Sequence, residues 1–262
     1  MGIKLAISNI AWSPENSRIV YEYMKATGFH GLEIAPTILF PDKPYEKKAE
    51  AKEYAEWLNQ AYKLRICSMQ SIWFGHNEKI FGSEEERNTL TEYTRRAIDF
   101  AEVINAGNLV FGCPKNRCIR DETDYDIAVK FFRELGDYAV KHNTVLSMEA
   151  NPVIYGTNFI NRTLDAIQLI EEVDSEGFKL NLDFGTITYN GESMEELIPY
   201  LGLINHVHIS EPKLKTIERR KDHEVLMNLL RGIEYDGYVS IEMGKQDDIK
   251  DVFKVIDYIV SL

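Results

Sequence analysis

VLSMEANP at residues 145–152 and FKLNLDFG at residues 178–185 are two short strand-like runs, separated by a segment with helical periodicity at 162–174. This alternation occurs eight times along the chain. The predicted strands are 3–11, 31–36, 65–74, 108–114, 145–152, 178–185, 204–212 and 237–244, and the predicted helices are 15–28, 44–62, 84–105, 122–142, 162–174, 193–201, 222–231 and 247–261. Strict alternation predicts parallel strands with right-handed crossovers, and eight units close an α/β barrel of the (β/α)8 TIM type.

The length of 262 residues suits one closed barrel, so residues 1–262 are predicted to form a single domain. An open doubly wound sheet is the alternative for the same alternation. It is disfavoured because no GxGxxG or P-loop pattern follows the first strand, where a nucleotide-binding sheet usually has one. Ser83 and Ser193 each precede acidic residues, as helix N-caps do, and they support the predicted helix starts.

The composition, with 44% hydrophobic and 27% charged residues, is typical of a soluble globular protein. No stretch approaches the roughly 20 apolar residues needed to cross a bilayer, and the N-terminus lacks a signal-peptide cleavage site. These features predict a cytoplasmic protein without a membrane partner. The net charge of −12 argues against non-specific attraction to nucleic acid, so a small molecule is the expected partner.

The chain has three cysteines, Cys67, Cys113 and Cys118. They are too few and too irregularly spaced for a disulfide framework, and the pair at 113 and 118 lacks the second pair of a structural zinc site. We predict that all three are reduced thiols.

Each of the last four predicted strands carries one metal-ligating side chain near its C-terminal end, namely Glu149, Asp183, His208 and Glu242. A carboxylate inside an apolar parallel strand is costly to bury without a partner or a metal. Because the strands of a barrel converge at its mouth, the pattern predicts one divalent ion there. Three carboxylates and one imidazole suit Mn²⁺, Co²⁺, Fe²⁺, Zn²⁺ or Mg²⁺, and the ligand types do not choose among them.

The seventh strand contains two histidines, His206 and His208, and strand geometry separates their roles. Side chains two residues apart face the same side of a strand, so both face the barrel interior or both face outward. If they face inward, His208 lies one layer nearer the mouth. We therefore predict that His208 is the ligand and that His206 is a hydrogen-bonded residue beneath the site.

The sequence resembles the xylose isomerase-like barrel superfamily and, within it, the sugar phosphate isomerase/epimerase group that includes ketose 3-epimerases. The resemblance spans the chain, and its specific part is the Glu, Asp, His, Glu series together with GYVSIEMG at 237–244. It implies that the four residues bind the metal and that Glu149 and Glu242 also move protons. The implied reaction is isomerisation or epimerisation of a carbohydrate or polyol-derived ketone through an enediolate.

The sequence departs from the ketose 3-epimerase pattern around the substrate. Thr186 replaces a histidine three residues after the strand 6 aspartate, and Tyr155 replaces a glutamate six residues after the strand 5 glutamate. The strand 7 loop arginine of those enzymes has no clear match in EPKLKTIERR, residues 211–220. The resemblance therefore supports the metal site more than any particular sugar.

Two other functions remain open. An apurinic endonuclease IV-like phosphodiester hydrolase would need a three-metal cluster, but strand 3 has Gln70 in place of a histidine, strand 4 has none, and Thr186 again replaces a ligand. The adjacent Asp222 and His223 resemble that family's later Asp and His, although one residue separates the two there. A non-catalytic carbohydrate-binding barrel would require the metal site to be vestigial.

Several residues at strand ends and in the following loops are candidates for substrate binding. Asn9, Trp12, Glu33, Gln70, Trp73, Asn151, Tyr155, Glu211 and Lys213 could line a sugar pocket. Lys115 and Arg117 in CPKNR (113–117) could meet a carboxylate or phosphate, and His223 could face the substrate from the start of a helix. Barrels of this type often pair, which makes a homodimer possible.

Overall fold

Eight parallel strands pair in sequence order in the computed structural model, which describes residues 2–262, and the first strand pairs with the last. The strands are β1 Lys4–Ser8, β2 Gly31–Ile34, β3 Arg65–Met69, β4 Asn108–Phe111, β5 Leu146–Glu149, β6 Phe178–Asp183, β7 Ile204–Ser210 and β8 Tyr238–Glu242. The predicted (β/α)8 barrel is confirmed, because the sheet closes on itself with helices around it.

The α-helices follow the strands in the predicted order. They are α1 Ser17–Ala26, α2 Pro36–Leu39, α3 Lys48–Tyr62, α4 Glu84–Ile104, α5 Asp124–Lys141, α6 Thr163–Val173, α7 Phe184–Asn190, α8 Met194–Leu197, α9 Lys221–Gly232 and α10 Ile249–Val260. Ser83 forms a capping box with Glu86 at the start of α4, and the Ser193 hydroxyl accepts a hydrogen bond from the Glu195 N–H. Both predicted N-caps are confirmed.

The sixth strand ends earlier than predicted. Its predicted range was 178–185, but the strand stops at Asp183, whose side chain accepts a hydrogen bond from the Thr186 N–H and caps α7. The predicted helix 193–201 is also divided: α8 gives way to a 3₁₀ helix at Ile198–Leu203, where Pro199 has no N–H to continue the α-helical pattern. The apolar run 178–185 therefore contains a helix N-cap residue, Asp183. At this residue the chain leaves the sheet and begins α7 at the barrel mouth.

The other seven predicted strands are also shorter in the structure, and the first and third show why. The first, predicted as 3–11, ends at Ser8 and continues as a 3₁₀ turn, where the Asn9 side chain accepts a hydrogen bond from the Ala35 N–H. The third, predicted as 65–74, ends at Met69, and Ser71 has a positive φ of 53°. Both segments leave the sheet, and the one after β3 contributes Gln70 and Ser71 to the pocket at the mouth.

The barrel interior holds hydrogen-bonded polar side chains. Ser147 donates to Asn108 and Asn108 donates to Ser68, and all three are buried. Gln70 likewise donates to Ser8 across the interior. Because buried polar groups with partners are held rigidly, this layer supports the side chains at the mouth.

Cys67, Cys113 and Cys118 are free, as predicted. Among the helices found in residues 2–262, none has both the length and the apolar character that a bilayer crossing requires.

Candidate active site

Glu149, Asp183, His208 and Glu242 converge at the C-terminal mouth of the barrel. Glu149, Asp183 and Glu242 end β5, β6 and β8, and His208 lies two residues before the end of β7. Their possible ligand atoms all lie within 4.8 Å of one another. The fold therefore brings together the set identified in the sequence.

Strand register explains this convergence. Asp183 pairs with His208 across β6 and β7, while Ser210 pairs with Glu242 across β7 and β8. Since side chains alternate along a strand, His208, Ser210 and Glu242 share the inward face. The same parity places His206 one layer deeper, as predicted.

The two ring nitrogens of His208 face different partners. Nδ1 lies 2.9 Å from Glu149 Oε1 and 3.4 Å from Glu242 Oε2, whereas Nε2 lies 3.0 Å from Glu33 Oε2. Nδ1 is thus the nitrogen available to a cation among the carboxylates, and Nε2–H donates to Glu33. A metal-binding histidine is commonly oriented in this way by a carboxylate on its other nitrogen.

Glu33 lies beneath the site and not in the substrate pocket. It is fully buried, and its Oε2 also lies 3.0 Å from His206 Nε2. Burial by itself would raise the pKa of Glu33, but the charges and hydrogen bonds of His208 and His206 together outweigh it and hold the pKa well below the ordinary value. The prediction that Glu33 contacts the substrate is therefore corrected, because its carboxylate interacts with His206 and His208 beneath the site.

The carboxylates of the cluster repel one another in the absence of a cation. Burial and the charge of Glu149 raise the pKa of Asp183 to about 6. Burial also raises the pKa of Glu242 to about 7, in spite of the attraction of His208. Burial would lower the pKa of His208, but Glu33 and Glu242 raise it well above its ordinary value. A divalent cation would neutralise this excess negative charge, so the residues present fit such an ion.

Hydrogen bonds from neighbouring side chains fix the two carboxylates on β5 and β6. Asn181 donates to Glu149 Oε1 at 2.8 Å, and Asn151 donates to Glu149 Oε2 at 2.9 Å. The Thr186 N–H donates to Asp183 Oδ2 at 2.8 Å, and the Thr186 hydroxyl lies 2.7 Å from the same oxygen. Thr186, which replaces the histidine of the ketose 3-epimerase pattern, thus orients Asp183 in this protein.

A pocket of about 160 Å³ opens above the cluster. It is lined by Gln70, Ser71, Val110, Gly112, Cys113, Pro114, Glu149, Asn151, Tyr155, Asp183, Ser210, Leu214 and Glu242. Three of the predicted substrate residues, Gln70, Asn151 and Tyr155, are in this lining. Ser210 was missed, although its spacing of two from His208 could have indicated it.

Other predicted substrate residues have partners inside the protein. The Trp73 indole donates to Thr94, and the Trp12 indole donates to Ser17. His223 is fully buried, with Nδ1 3.0 Å from the Tyr258 hydroxyl. These predictions of substrate contact are corrected, because aromatic side chains with a polar atom readily satisfy that atom within a core.

The remaining predicted contacts also lie outside the pocket lining. Asn9 is buried beside Ala35, and Glu211 is buried in an ion pair with Arg220 at 2.6 Å. Arg117 is fully buried and binds main-chain and side-chain atoms of β5 and its loop. The side chains of Lys115 and Lys213 are exposed on their loops, although the Lys213 N–H donates to the pocket residue Tyr155.

A larger cavity of about 1040 Å³ lies beside the mouth, between the segment after β2 and α4. Its apolar lining includes Tyr45, Phe74 and Tyr93, and its charged lining includes four glutamates. None of the four clustered ligands lines it. The chemistry that the ligand cluster can support therefore belongs to the smaller pocket.

Fold and site together define a TIM barrel with a candidate divalent-metal centre at its C-terminal mouth. The chain belongs to the xylose isomerase-like TIM barrel family, whose profile matches residues 21–259. The predicted family resemblance is confirmed by this match.

The relatives of the chain include sugar-modifying enzymes. The chain is 27% identical over 252 residues to a 3-dehydro-D-guloside 4-epimerase of Escherichia coli strain K12, covering 92% of each chain. It is 23% identical over 277 aligned positions to an inosose dehydratase of Clostridium perfringens strain 13, covering 97% of this chain and 86% of the relative. Its fold matches a D-psicose 3-epimerase of Clostridium cellulolyticum H10, crystallised with D-tagatose, with a TM-score of 0.75, 17% identity and coverage of 98% and 90%.

Glu33→Gln is expected to weaken Mn²⁺ binding by about 10- to 100-fold, because the variant no longer holds His208 through a carboxylate. Titration followed by the electron paramagnetic resonance of free Mn²⁺ measures this affinity. Glu211→Gln is the matched control, since Glu211 is also buried and paired but lies outside the pocket lining. An unchanged affinity in folded Glu33→Gln would remove Glu33 from the support of the metal site.

Proposed function

We propose that the protein is a divalent-metal-dependent isomerase or epimerase of a carbohydrate or polyol-derived ketone. The observation that carries this proposal is the placement of Glu149 and Glu242 in the lining of one small pocket, with both carboxylates near Nδ1 of His208. Their strands, β5 and β8, are three positions apart in the closed barrel. Two carboxylates can thus approach one carbon from different sides.

The proposed chemistry requires a proton to leave and return at a carbon beside a carbonyl group. When bound, a divalent cation would supply a Lewis acid that stabilises negative charge on the oxygens of an α-hydroxy ketone and so acidify the C–H of the hydroxyl-bearing carbon. Glu149 and Glu242 then act as the acid/base pair: one accepts the proton as the substrate becomes an enediolate, and the other returns a proton. Asn151 and Asn181 hold Glu149 for this transfer.

Epimerisation is favoured over isomerisation by the position of the two glutamates. An epimerase must remove a proton from one face of the carbon and deliver one to the other face, whereas an isomerase can use one base that moves the proton between adjacent carbons. Glu149 and Glu242 come from strands separated by β6 and β7, which supports our proposal that each serves one face of the carbon.

The metal-ligand geometry gives little support to a nuclease of the endonuclease IV type. Within residues 2–262 two groups offer three or more possible ligands, and both include His208. They therefore form one continuous centre and not three separated metal sites. Cleavage of an abasic DNA duplex would test this alternative.

Deuterium exchange tests the proposed function. The protein with added Mn²⁺ is expected to introduce solvent deuterium beside the carbonyl of at least one member of a panel of keto sugars, 3-keto-glycosides and inososes in D₂O. Proton nuclear magnetic resonance detects the exchange and the configuration of the product. The matching alcohols, which have no carbonyl group, should not exchange.

The same samples separate the competing functions. Loss of water from an inosose would indicate a dehydratase, and cleavage of the abasic duplex would indicate a nuclease. If the protein binds Mn²⁺ but exchanges no member of the panel and cleaves no duplex, the proposed function is wrong.

A further inference from the structure

Arg117 is a fully buried cation in the loop after β4, close to the proposed base. Its Nη2 donates to the Glu149 carbonyl oxygen at 2.9 Å and to Asn151 Oδ1 at 2.7 Å, and its Nη1 lies 3.2 Å from Met148 Sδ. None of these partners within residues 2–262 is a carboxylate, and Nε has no partner there. Burial lowers the pKa of Arg117 to about 10, so the group is still a cation at neutral pH.

A buried cation without a carboxylate partner is costly for the fold. If Arg117 served only to tie its loop to β5, an apolar side chain of similar length would fill the space at lower cost. What the guanidinium supplies in addition is a group that can only donate hydrogen bonds. This property determines the orientation of the Asn151 side-chain amide.

The carboxamide of Asn151 lies between Arg117 and Glu149. Because a guanidinium has no acceptor, the oxygen of the amide must face Arg117, and the NH₂ group must face Glu149. This NH₂ group is the hydrogen-bond donor to Glu149 Oε2, whereas Oε1 interacts with Asn181 and His208. Reversal of the amide would place its oxygen against Oε2 and repel the carboxylate.

The space around Glu149 Oε2 is confined. A Cβ atom at Gly112 would lie 2.9 Å from Oε2 and 3.4 Å from Asn151 Oδ1. The backbone of Asn151 is also fixed, since its N–H donates to the Ile160 carbonyl and its own carbonyl accepts from the Asn161 side chain at 2.8 Å. The orientation of the amide is therefore the main freedom left at this position, and Arg117 determines it.

We propose that Arg117 is a positioning residue that acts through Asn151: it fixes the amide so that Asn151 holds Glu149 in the geometry for proton transfer. This inference rests on the proposed function for the role of Glu149. It reassigns Arg117 and Asn151, both predicted from the sequence to bind substrate. Arg117 acts on the base without touching the substrate.

Asn151→Asp separates positioning from structural support. The new carboxylate accepts from Arg117 and pairs with it, so the melting temperature should stay the same or rise. It also presents an oxygen to Glu149 Oε2, and two carboxylate oxygens repel each other. We expect kcat to fall at least about 100-fold with KM changed less than about threefold, the split that a misplaced base produces. A stable variant with unchanged kcat would overturn the proposal.

Arg117→Met and Arg117→Lys provide the second comparison. Met cannot orient the amide, so kcat should fall about 100-fold and Mn²⁺ affinity about tenfold, as for other residues that orient a metal ligand. Lys is also only a donor, so Arg117→Lys should recover most of both losses. Arg133, which donates to the Glu172 and Val173 carbonyls, gives the matched control pair Arg133→Met and Arg133→Lys.

Mn²⁺ affinity also distinguishes failure of this inference from failure of the proposed function. If the unaltered protein exchanges no ketone but Arg117→Met binds Mn²⁺ about tenfold more weakly and Arg117→Lys does not, the positioning of Glu149 is supported and the proposed reaction is wrong. If Arg117→Met lowers only the melting temperature and leaves kcat and Mn²⁺ affinity unchanged, Arg117 is structural and the inference is wrong.

Discussion

Glu242→Gln is expected to reduce conversion of the substrate at least about 1000-fold while the barrel remains folded. Gln has the same size as Glu but cannot carry the transferred proton. Glu242 ends β8 and lines the pocket. Its Oε2 lies 3.4 Å from His208 Nδ1. Conversion is measured by chromatography of the product, and the fold by circular dichroism. Unchanged conversion would remove Glu242 from catalysis.

A two-base mechanism makes a sharper prediction for the same variant. If Glu149 and Glu242 serve opposite faces of the carbon, Glu242→Gln loses conversion but still exchanges solvent deuterium into the one epimer whose proton faces Glu149. Glu149→Gln should show the reverse preference between the two epimers. Because both residues are also predicted ligands, Mn²⁺ occupancy must be measured and restored in each variant. If each variant binds Mn²⁺ and loses exchange equally for both epimers, Glu149 and Glu242 do not serve opposite faces of the carbon.

Removal of the divalent ion by EDTA is expected to abolish exchange, and binding of Mn²⁺ should strengthen as pH rises from 5.5 to 8.5. In the metal-free protein the pKa of Asp183 is raised to about 6 and that of Glu242 to about 7. Both groups are therefore largely protonated at pH 5.5 and ionised at pH 8.5. Since cations bind the ionised forms, proton release accompanies binding at low pH.

Calorimetry in buffers of different ionisation enthalpy measures this release. We expect Asp183 and Glu242 together to release up to about two protons per Mn²⁺ at pH 5.5 and almost none at pH 8.5. His208, whose pKa is raised above its ordinary value, adds to this release wherever it is still protonated. Glu242→Gln should release one proton fewer at pH 5.5. Affinity that does not change with pH, or exchange that survives EDTA, would contradict a metal held by this cluster.

The same pKa values determine how the cluster affects stability. Folded, metal-free protein binds more protons at Asp183 and Glu242 than the unfolded chain does between the ordinary values of 3.8 and 4.5 and the raised values of about 6 and 7. Their contribution to the free energy of unfolding therefore falls as pH rises through this window. Bound metal removes this loss, because it stabilises the ionised forms.

The barrel could be predicted from the sequence because the pattern that indicates it is local and occurs eight times. Alternation of strand-like and helical segments needs no knowledge of tertiary contacts, and parity along β7 places His208 and His206 on one face in two layers. Helix starts at Ser83 and Ser193 were equally local. The end of β6 was missed because the apolar run continues through Phe184, although Asp183 is itself an N-cap residue.

Substrate residues were harder to predict because neighbours from distant strands decide where a polar side chain points. Glu33, from β2, is occupied by two histidines of β7, and His223 turns to Tyr258 of α10. No spacing within either segment contains that information. Gln70, Asn151 and Tyr155 do line the pocket, and their contact with a substrate stays a prediction.

The sequence by itself determined the barrel, its eight-fold alternation and the four side chains that meet at the mouth, because strand period and strand order are properties of the chain alone. Only the tertiary structure decided which nitrogen of His208 faces the carboxylates and which polar residues lie beneath them. It also placed the Asn151 amide between Arg117 and Glu149, hydrogen-bonded to both. These features depend on side chains from different strands lying within hydrogen-bonding distance, which the closure of the barrel brings about.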